Sequence, residues 1–395
     1  MTRWSHVFVL CAMVVPAARP AGAQNPPRLD DPATYRRPKL SSAADPNDWE
    51  GYFDYGVEQL RRDPRKAEAA FYWASRIDPS RAEPLYGRWV AYWMRRPAWF
   101  EEYVKGDPKL LAAPAVVEVD SLYLRALRRN PLMPRTLTVL VYDQLPGRWS
   151  GDRFTTAVLD YSRGQYADAV AAFGRLVRDD PAGNYRVRYY RALGFTAMQR
   201  FDSASVEITA LLEEMRRRDE KQLTYSYESK ELIEYALGLL QLASGDRAAA
   251  RAAFQRALVE NLAFYPAHAA LGEMALASRD SKAALDEYGL AVELGGSDGV
   301  ARYQYGSALA AAGRPEEAEL QLRKAIEFEP LFAPPYFTLG TVLEARGLPQ
   351  QALAAYRDYV QRAPSLAPLV PRAQARMAVL NGPKADSGGA PPRDR

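Results

Sequence analysis

Apolar and polar positions follow a helical period through most of the chain, and between Glu231 and Ser365 the pattern repeats itself. Apolar-Gly pairs stand at Leu237-Gly238, Leu271-Gly272, Tyr305-Gly306 and Leu339-Gly340, each glycine 34 residues after the last. The same step carries Ala250 to Ala284, Ala318 and Ala352, and Phe254 to Tyr288, Leu322 and Tyr356. It also carries Ala257 to Ala291 and Ala325, with Tyr359 where a fourth alanine would stand. Each period is long enough for two helices of three to four turns and their connections. A glycine inside a helix costs about 1 kcal/mol relative to alanine, so its recurrence needs a packing reason. Close approach of the second helix supplies one: the alanine faces the glycine and the ring four residues on fills the wider gap. Gly245, Gly313 and Gly347 fall between the helices, where a left-handed residue ends the first, and Pro330 and Pro364 stop the second.

This period with these residue types resembles the tetratricopeptide repeat. The resemblance implies an all-α, right-handed superhelical solenoid of helix-turn-helix repeats with a C-terminal capping helix. Upstream the pattern loosens. Gly164, Ala169, Phe173 and Pro181 mark a third unit and Leu193-Gly194 a fourth, so residues 150–230 are expected to hold repeats three and four, with about ten extra residues around the charged run Arg216 to Lys221 and on to Tyr227. Residues 48–149 read as irregular, aromatic-rich repeats. Their insertion, 96–114, carries Pro97, Pro108 and Pro114 and is expected to ride outside the stack. Four regular repeats occupy 231–366. A capping helix follows at 367–381, and the polar tail 382–395 is expected to be disordered.

The N-terminus changes the picture. Arg3 precedes the apolar run Val7 to Val15, Pro16 breaks it, and Ala21-Gly22-Ala23 offers the small-x-small pattern of signal cleavage. Residues 1–23 are therefore expected to be a secretory signal, and the run is about half the ~20 residues a spanning helix needs. The expected location is periplasmic or secreted, with no membrane span once the signal is removed. Residues 24–47, rich in Pro, Ser and Asp, read as a disordered linker. Cys11 would leave with the leader. The mature chain then has neither structural disulfides nor thiolate metal sites. His268 would be the one remaining histidine, read as structural. A formal charge of +4, with 25% charged and 48% hydrophobic residues, fits a soluble protein with a core and gives no nucleic-acid signature. No cofactor and no catalytic residue is expected.

In proteins of the resembling family, the first helices of successive repeats line a concave groove. That implies a peptide-binding groove with Tyr235, Tyr303, Phe337, Arg188, Arg191, Phe154 and Tyr161 facing an extended or helical segment of another protein. Asn and Lys, which clamp a C-terminal carboxylate in one subclass, are missing from the ninth position of the regular repeats, where Leu239, Glu273, Ser307 and Thr341 stand. A second aromatic patch, Trp89, Trp93, Trp99 and Phe100, reads either as a sticky surface or as a plug of large rings at the open end of the stack. The function that follows is an exported, non-enzymatic interaction scaffold for an envelope or secreted partner. Two alternatives remain: an accessory subunit of a polysaccharide or pilus export machine, and an enzyme using acidic groove residues.

Overall fold

The computed structural model describes residues 32–42, 44–144, 153–221 and 229–381. The expected leader, the tail expected to be disordered, Trp149 and the run from Gln222 to Glu228 lie outside them. The described residues are all-α, with no strand. They fall into two compact units that divide after Ser297.

The first unit holds α1 (Trp49–Gln59), α2 (Pro64–Ile77), α3 (Glu83–Met94), α4 (Pro97–Lys105), α5 (Pro108–Leu111), α6 (Pro114–Arg129) and α7 (Thr138–Tyr142). It continues with α8 (Arg153–Ser162), α9 (Tyr166–Asp179), α10 (Val187–Ala197), α11 (Phe201–Lys221), α12 (Lys230–Ala243), α13 (Arg247–Glu260), α14 (Tyr265–Ala277) and α15 (Ser281–Gly295). Consecutive helices pack on one another, α1 on α2, α2 on α3, α3 on α6, and then pairwise from α8 to α15. This is the stacking of a helical-repeat solenoid.

The glycine-ring pairing is present as the period predicts. A Cβ on Gly238 would lie 2.4 Å from the Phe254 ring, and one on Gly272 3.1 Å from the ring of Tyr288. Helix starts are set by aspartates whose side chains accept backbone N–H groups: Asp246 from Ala249 and Asp280 from Ala283. Gly245 ends α12 with φ +91°. One period later the position belongs to Arg279, which adopts the same left-handed conformation at φ +62°.

The insertion departs from expectation. Within residues 96–114, α4 does not ride outside the stack, whereas α5 buries no side chain. Pro97, Pro108 and Pro114 each occupy a helix's first turn, where the missing N–H has no intrahelical partner to lose. They therefore start α4, α5 and α6. Through α4, Phe100 and Tyr103 enter the core, their ring centroids 5.5 and 4.5 Å from that of Trp93. Of the stretch expected to hold the extra residues before repeat five, the described part, Arg216 to Lys221, belongs to α11, which is 21 residues long. The presumed linker also differs, because from Tyr35 onward it packs on α2: Trp73 Nε1 donates to the Tyr35 carbonyl at 3.0 Å.

The second unit contains α16 (Gly299–Ala311), α17 (Pro315–Phe328), α18 (Pro334–Ala345), α19 (Pro349–Arg362) and α20 (Val370–Asn381). Its glycines pair in the same way, Gly306 against Leu322 and Gly340 against Tyr356. The last helix, α20, packs on α19. Arg376 on α20 pairs with Glu344 of α18, while Tyr356 Oη donates to the same carboxylate at 2.6 Å. That guanidinium is the main reason the Glu344 carboxyl lies below its ordinary range.

Candidate functional site

The predicted groove residues divide by burial. Tyr235, Phe337, Phe154 and Tyr161 are all buried and serve as core. Tyr235 packs its ring 5.5 Å from Phe254 and 5.6 Å from Phe264. Phe154 lies between Phe173 at 6.0 Å and Tyr190 at 5.3 Å. Phe337 sits against Tyr356 and Tyr359, and the Arg372 guanidinium of α20 covers its ring at 5.7 Å. Burial also pushes the hydroxyls of Tyr161 and Tyr235 well above the ordinary phenol range, so both stay neutral.

The first unit places its own chain against this surface. Arg135 Nη2 donates to Tyr189 Oη at 2.9 Å, and that hydroxyl donates to the Pro131 carbonyl. The stretch between α6 and α7 is thereby tied to α10. The apolar core that contains Tyr235 also takes in Leu127, Met133 and Val141.

Three predicted residues keep part of their surface. Arg188 and Arg191 are half-buried on α10 and share one carboxylate: Arg188 Nη1 reaches Glu207 Oε2 at 3.0 Å and Arg191 Nη1 reaches Oε1 at 2.5 Å. With Glu207 buried, this fork joins α10 to α11 and spends the charge that a ligand carboxylate would need. Tyr303 is half-buried on α16 with its ring 5.5 Å from Phe332 in an edge-on arrangement. On the same helix, one turn on, the Ser307 hydroxyl is buried and has no hydrogen-bond partner. Thr341, the equivalent position on α18, is also half-buried. Within the second unit, Tyr303 is the predicted ring that remains available to a partner.

The tryptophan patch is mostly core. Trp89, Trp93 and Phe100 are fully buried, with Trp89 and Trp93 centroids 6.3 Å apart. Trp99 is the exception at 49% exposure, with the Arg96 guanidinium 6.0 Å from its ring. Three of the four rings are therefore core, and Trp99 alone of the four is surface.

Three constellations escaped the sequence reading. Asp120 accepts from Trp89 Nε1 at 3.0 Å and Tyr103 Oη at 3.1 Å, and burial pushes its carboxyl up to about 6. Glu234, fully buried on α12, holds Arg216 of α11 and Arg256 of α13, the latter at 3.0 Å. The signal for Glu234 was a lone carboxylate inside the apolar run Leu232 to Leu242. The third is the pocket under Tyr35, described below. His268 is held between Glu287, at 2.7 Å from Nδ1, and the Leu262 carbonyl, at 3.3 Å from Nε2. Among the described residues no group of three or more His, Cys, Asp or Glu side chains is placed to hold a metal ion, and no helix is long and apolar enough to cross a membrane.

Two family models match the chain, both described as tetratricopeptide repeats, over residues 235–299 and 300–330. No curated protein matches it. Among solved structures the chain is similar to YrrB, a tetratricopeptide-repeat protein with an unusual peptide-binding site, at 20% identity and a TM-score of 0.40, covering 52% of this chain and 98% of that one. It is also similar to the C-terminal part of a repeat-containing protein from Cytophaga hutchinsonii (15% identity, TM-score 0.46, 58% and 95% covered). A third likeness is to a chain of the APC/C hetero-tetramer Cut9–Hcn1 (13% identity, TM-score 0.44, 85% and 76% covered). Residues 235–330 are thus tetratricopeptide repeats by sequence as well as by helix pairing.

Proposed function

We propose that this protein is an exported protein-interaction scaffold that holds a segment of an envelope or secreted partner on the first helices of its repeats. The observation that carries the reading is the run of tetratricopeptide repeats at 235–330, a module that binds protein or peptide partners. Within the second unit the docking face is the part of α16 and α18 that bears Tyr303 and Thr341. Tyr303 offers a large ring with a polar tip at little conformational cost, the kind of anchor such interfaces favour. Export rests on the leader pattern, Arg3 followed by Val7–Val15 and Ala21-Gly22-Ala23.

Capture from envelope extract, with the wild-type chain and with Tyr303→Ala and Trp99→Ala variants, tests the surface. Loss of a captured protein with Tyr303→Ala, at an unchanged melting temperature, supports the proposal. Loss only with Trp99→Ala moves the site to α4. Intact mass of the protein from the envelope fraction tests export: a chain beginning at Gln24 is expected, and one retaining Met1 would refute it.

A further inference from the structure

Residues 35–40 have no regular secondary structure, yet they are seated on α1, α2 and α3 by side chains at three points. At the first, the Tyr35 ring stacks on Tyr72 with centroids 4.5 Å apart and 19° between planes. The Arg88 guanidinium lies 5.5 Å from the Tyr35 ring and 5.1 Å from that of Tyr72. Tyr35 Oη donates to Glu68 Oε1 at 3.1 Å, and Arg95 pairs with the other carboxylate oxygen. Glu68 and Arg88 are 4% and 1% exposed, so the pocket is built from buried polar groups rather than from loose surface chains. At the second point, Arg37 Nε donates to Tyr52 Oη at 2.8 Å, with its guanidinium 4.9 Å from the Trp73 ring and 5.2 Å from that of Tyr52. At the third, Leu40 joins a small apolar cluster with Tyr52, Ala74, Ile77 and Trp49. Between these points the segment is exposed at Arg36 and Lys39.

A segment held in this way, by anchors at spaced positions and one main-chain hydrogen bond, is the pattern of a bound peptide. We infer that the pocket of Glu68, Tyr72, Trp73 and Arg88 is a peptide-binding site occupied by the chain's own residues 35–40, and that its external ligand is an extended segment of a partner protein with the pattern Tyr-x-Arg-x-x-aliphatic. The chain's own segment then acts as a competitor in cis. A tethered ligand has an effective concentration in the millimolar range, so a free peptide of similar fit is excluded until the segment is displaced. The chemistry also sets selectivity. Burial and the Glu68 charge push the Tyr35 hydroxyl up to about 12, which keeps it a donor at neutral pH, and a phosphorylated tyrosine would set its charge against Glu68. The inference rests on the scaffold reading only for the class of ligand. Its site is separate from Tyr303, so either can fail alone.

The test uses a fluorescein-labelled peptide with the sequence of residues 32–42 and the full chain in two forms, wild type and Tyr35→Ala/Arg37→Ala. Fluorescence anisotropy is expected to show the double variant binding the peptide at least tenfold more tightly than wild type. Replacing the peptide's tyrosine by alanine or by phosphotyrosine should weaken that binding at least tenfold. Trp73→Phe in the same background removes the donor to the tyrosine carbonyl and should weaken it severalfold, while Tyr303→Ala leaves it unchanged. A folded double variant that binds no better than wild type, or binds the alanine peptide equally well, overturns the inference. So does binding that appears only in a dimer formed by exchange of this segment between copies. Should the double variant fail to fold, Arg37→Ala alone, which removes the second anchor and leaves Tyr35 seated, is expected to bind the peptide severalfold more tightly than wild type, with the same refuting outcomes.

Discussion

Replacing Asp120 by Asn tests the energetics of the aromatic core around the insertion. The carboxyl ordinarily releases its proton near 3.8 but in the folded chain holds it to about 6, because burial outweighs the hydrogen bonds from Trp89 and Tyr103 that favour the ionised form. Between those two pH values the folded chain carries one proton more than the unfolded chain. Stability from this group therefore falls as pH rises from about 4 to 6, and above 6 the full penalty applies. A difference of that size is worth at most about 3 kcal/mol at neutral pH. Asparagine is neutral throughout, and its Oδ1 can accept from both Trp89 Nε1 and Tyr103 Oη, which lie 3.0 and 3.1 Å from Oδ1 of the aspartate. Asp120→Asn is expected to stabilise the first unit by about 1–3 kcal/mol at pH 7, with the advantage fading toward pH 4. Denaturant unfolding followed by tryptophan fluorescence between pH 4.5 and 7.5 is the assay, since Trp49, Trp73, Trp89, Trp93 and Trp99 all lie in the first unit. Parallel stability curves for the two chains, or a less stable variant at pH 7, would refute the reasoning.

Three further outcomes are expected. Gly238→Ala places a methyl group 2.4 Å from the Phe254 ring and should destabilise by about 1–2 kcal/mol, overpacking less the helix-propensity gain. Gly272→Ala, with 3.1 Å to Tyr288, should cost less, and thermal melts that reverse this order contradict the packing account. Arg279→Gly relieves a left-handed residue at φ +62° and should stabilise by about 0.5–1 kcal/mol, so a lowered melting temperature would show that the Arg279 side chain contributes more than its strain costs. Phe100→Ala should cost about 3–5 kcal/mol in urea unfolding and Trp99→Ala under about 0.5, since one ring is fully buried and the other 49% exposed.

The regular repeats were legible because each recurring residue has one nearby reason: glycine for the approach of a second helix, a ring for the gap beside it, proline for the stop. The early chain was less so. Pro97, Pro108 and Pro114 read as breakers because a breaker and a first-turn proline look alike until the following residues are placed. Phe100 and Tyr103, three apart on α4, already formed an inward face. The groove was assigned by repeat position, which fixes the face of a helix a residue occupies but not what covers it. Tyr235 shares its core with Met133 and Val141, more than ninety residues earlier, and Arg372 covers Phe337 from the capping helix. Long-range coverage of this sort leaves no local signature. Tyr35 had a signature, an aromatic residue with an arginine two positions on in a polar stretch, but its value depended on Glu68 and Arg88 being brought together by the first two pairs.

The buried carboxylate of Glu234 bears on how such an array can be cut and rejoined. Packing by glycine and ring is generic, and any repeat that keeps those residues can stand beside any other. The Arg216–Glu234–Arg256 triad is not generic, because it draws one cation from the helix before and one from the helix after. A chimera that shuffled, deleted or duplicated repeats across α12 would seal an unmatched charge inside the stack. The array is thus keyed at this joint, and α11, α12 and α13 must travel together in any rearrangement that keeps the buried charge matched.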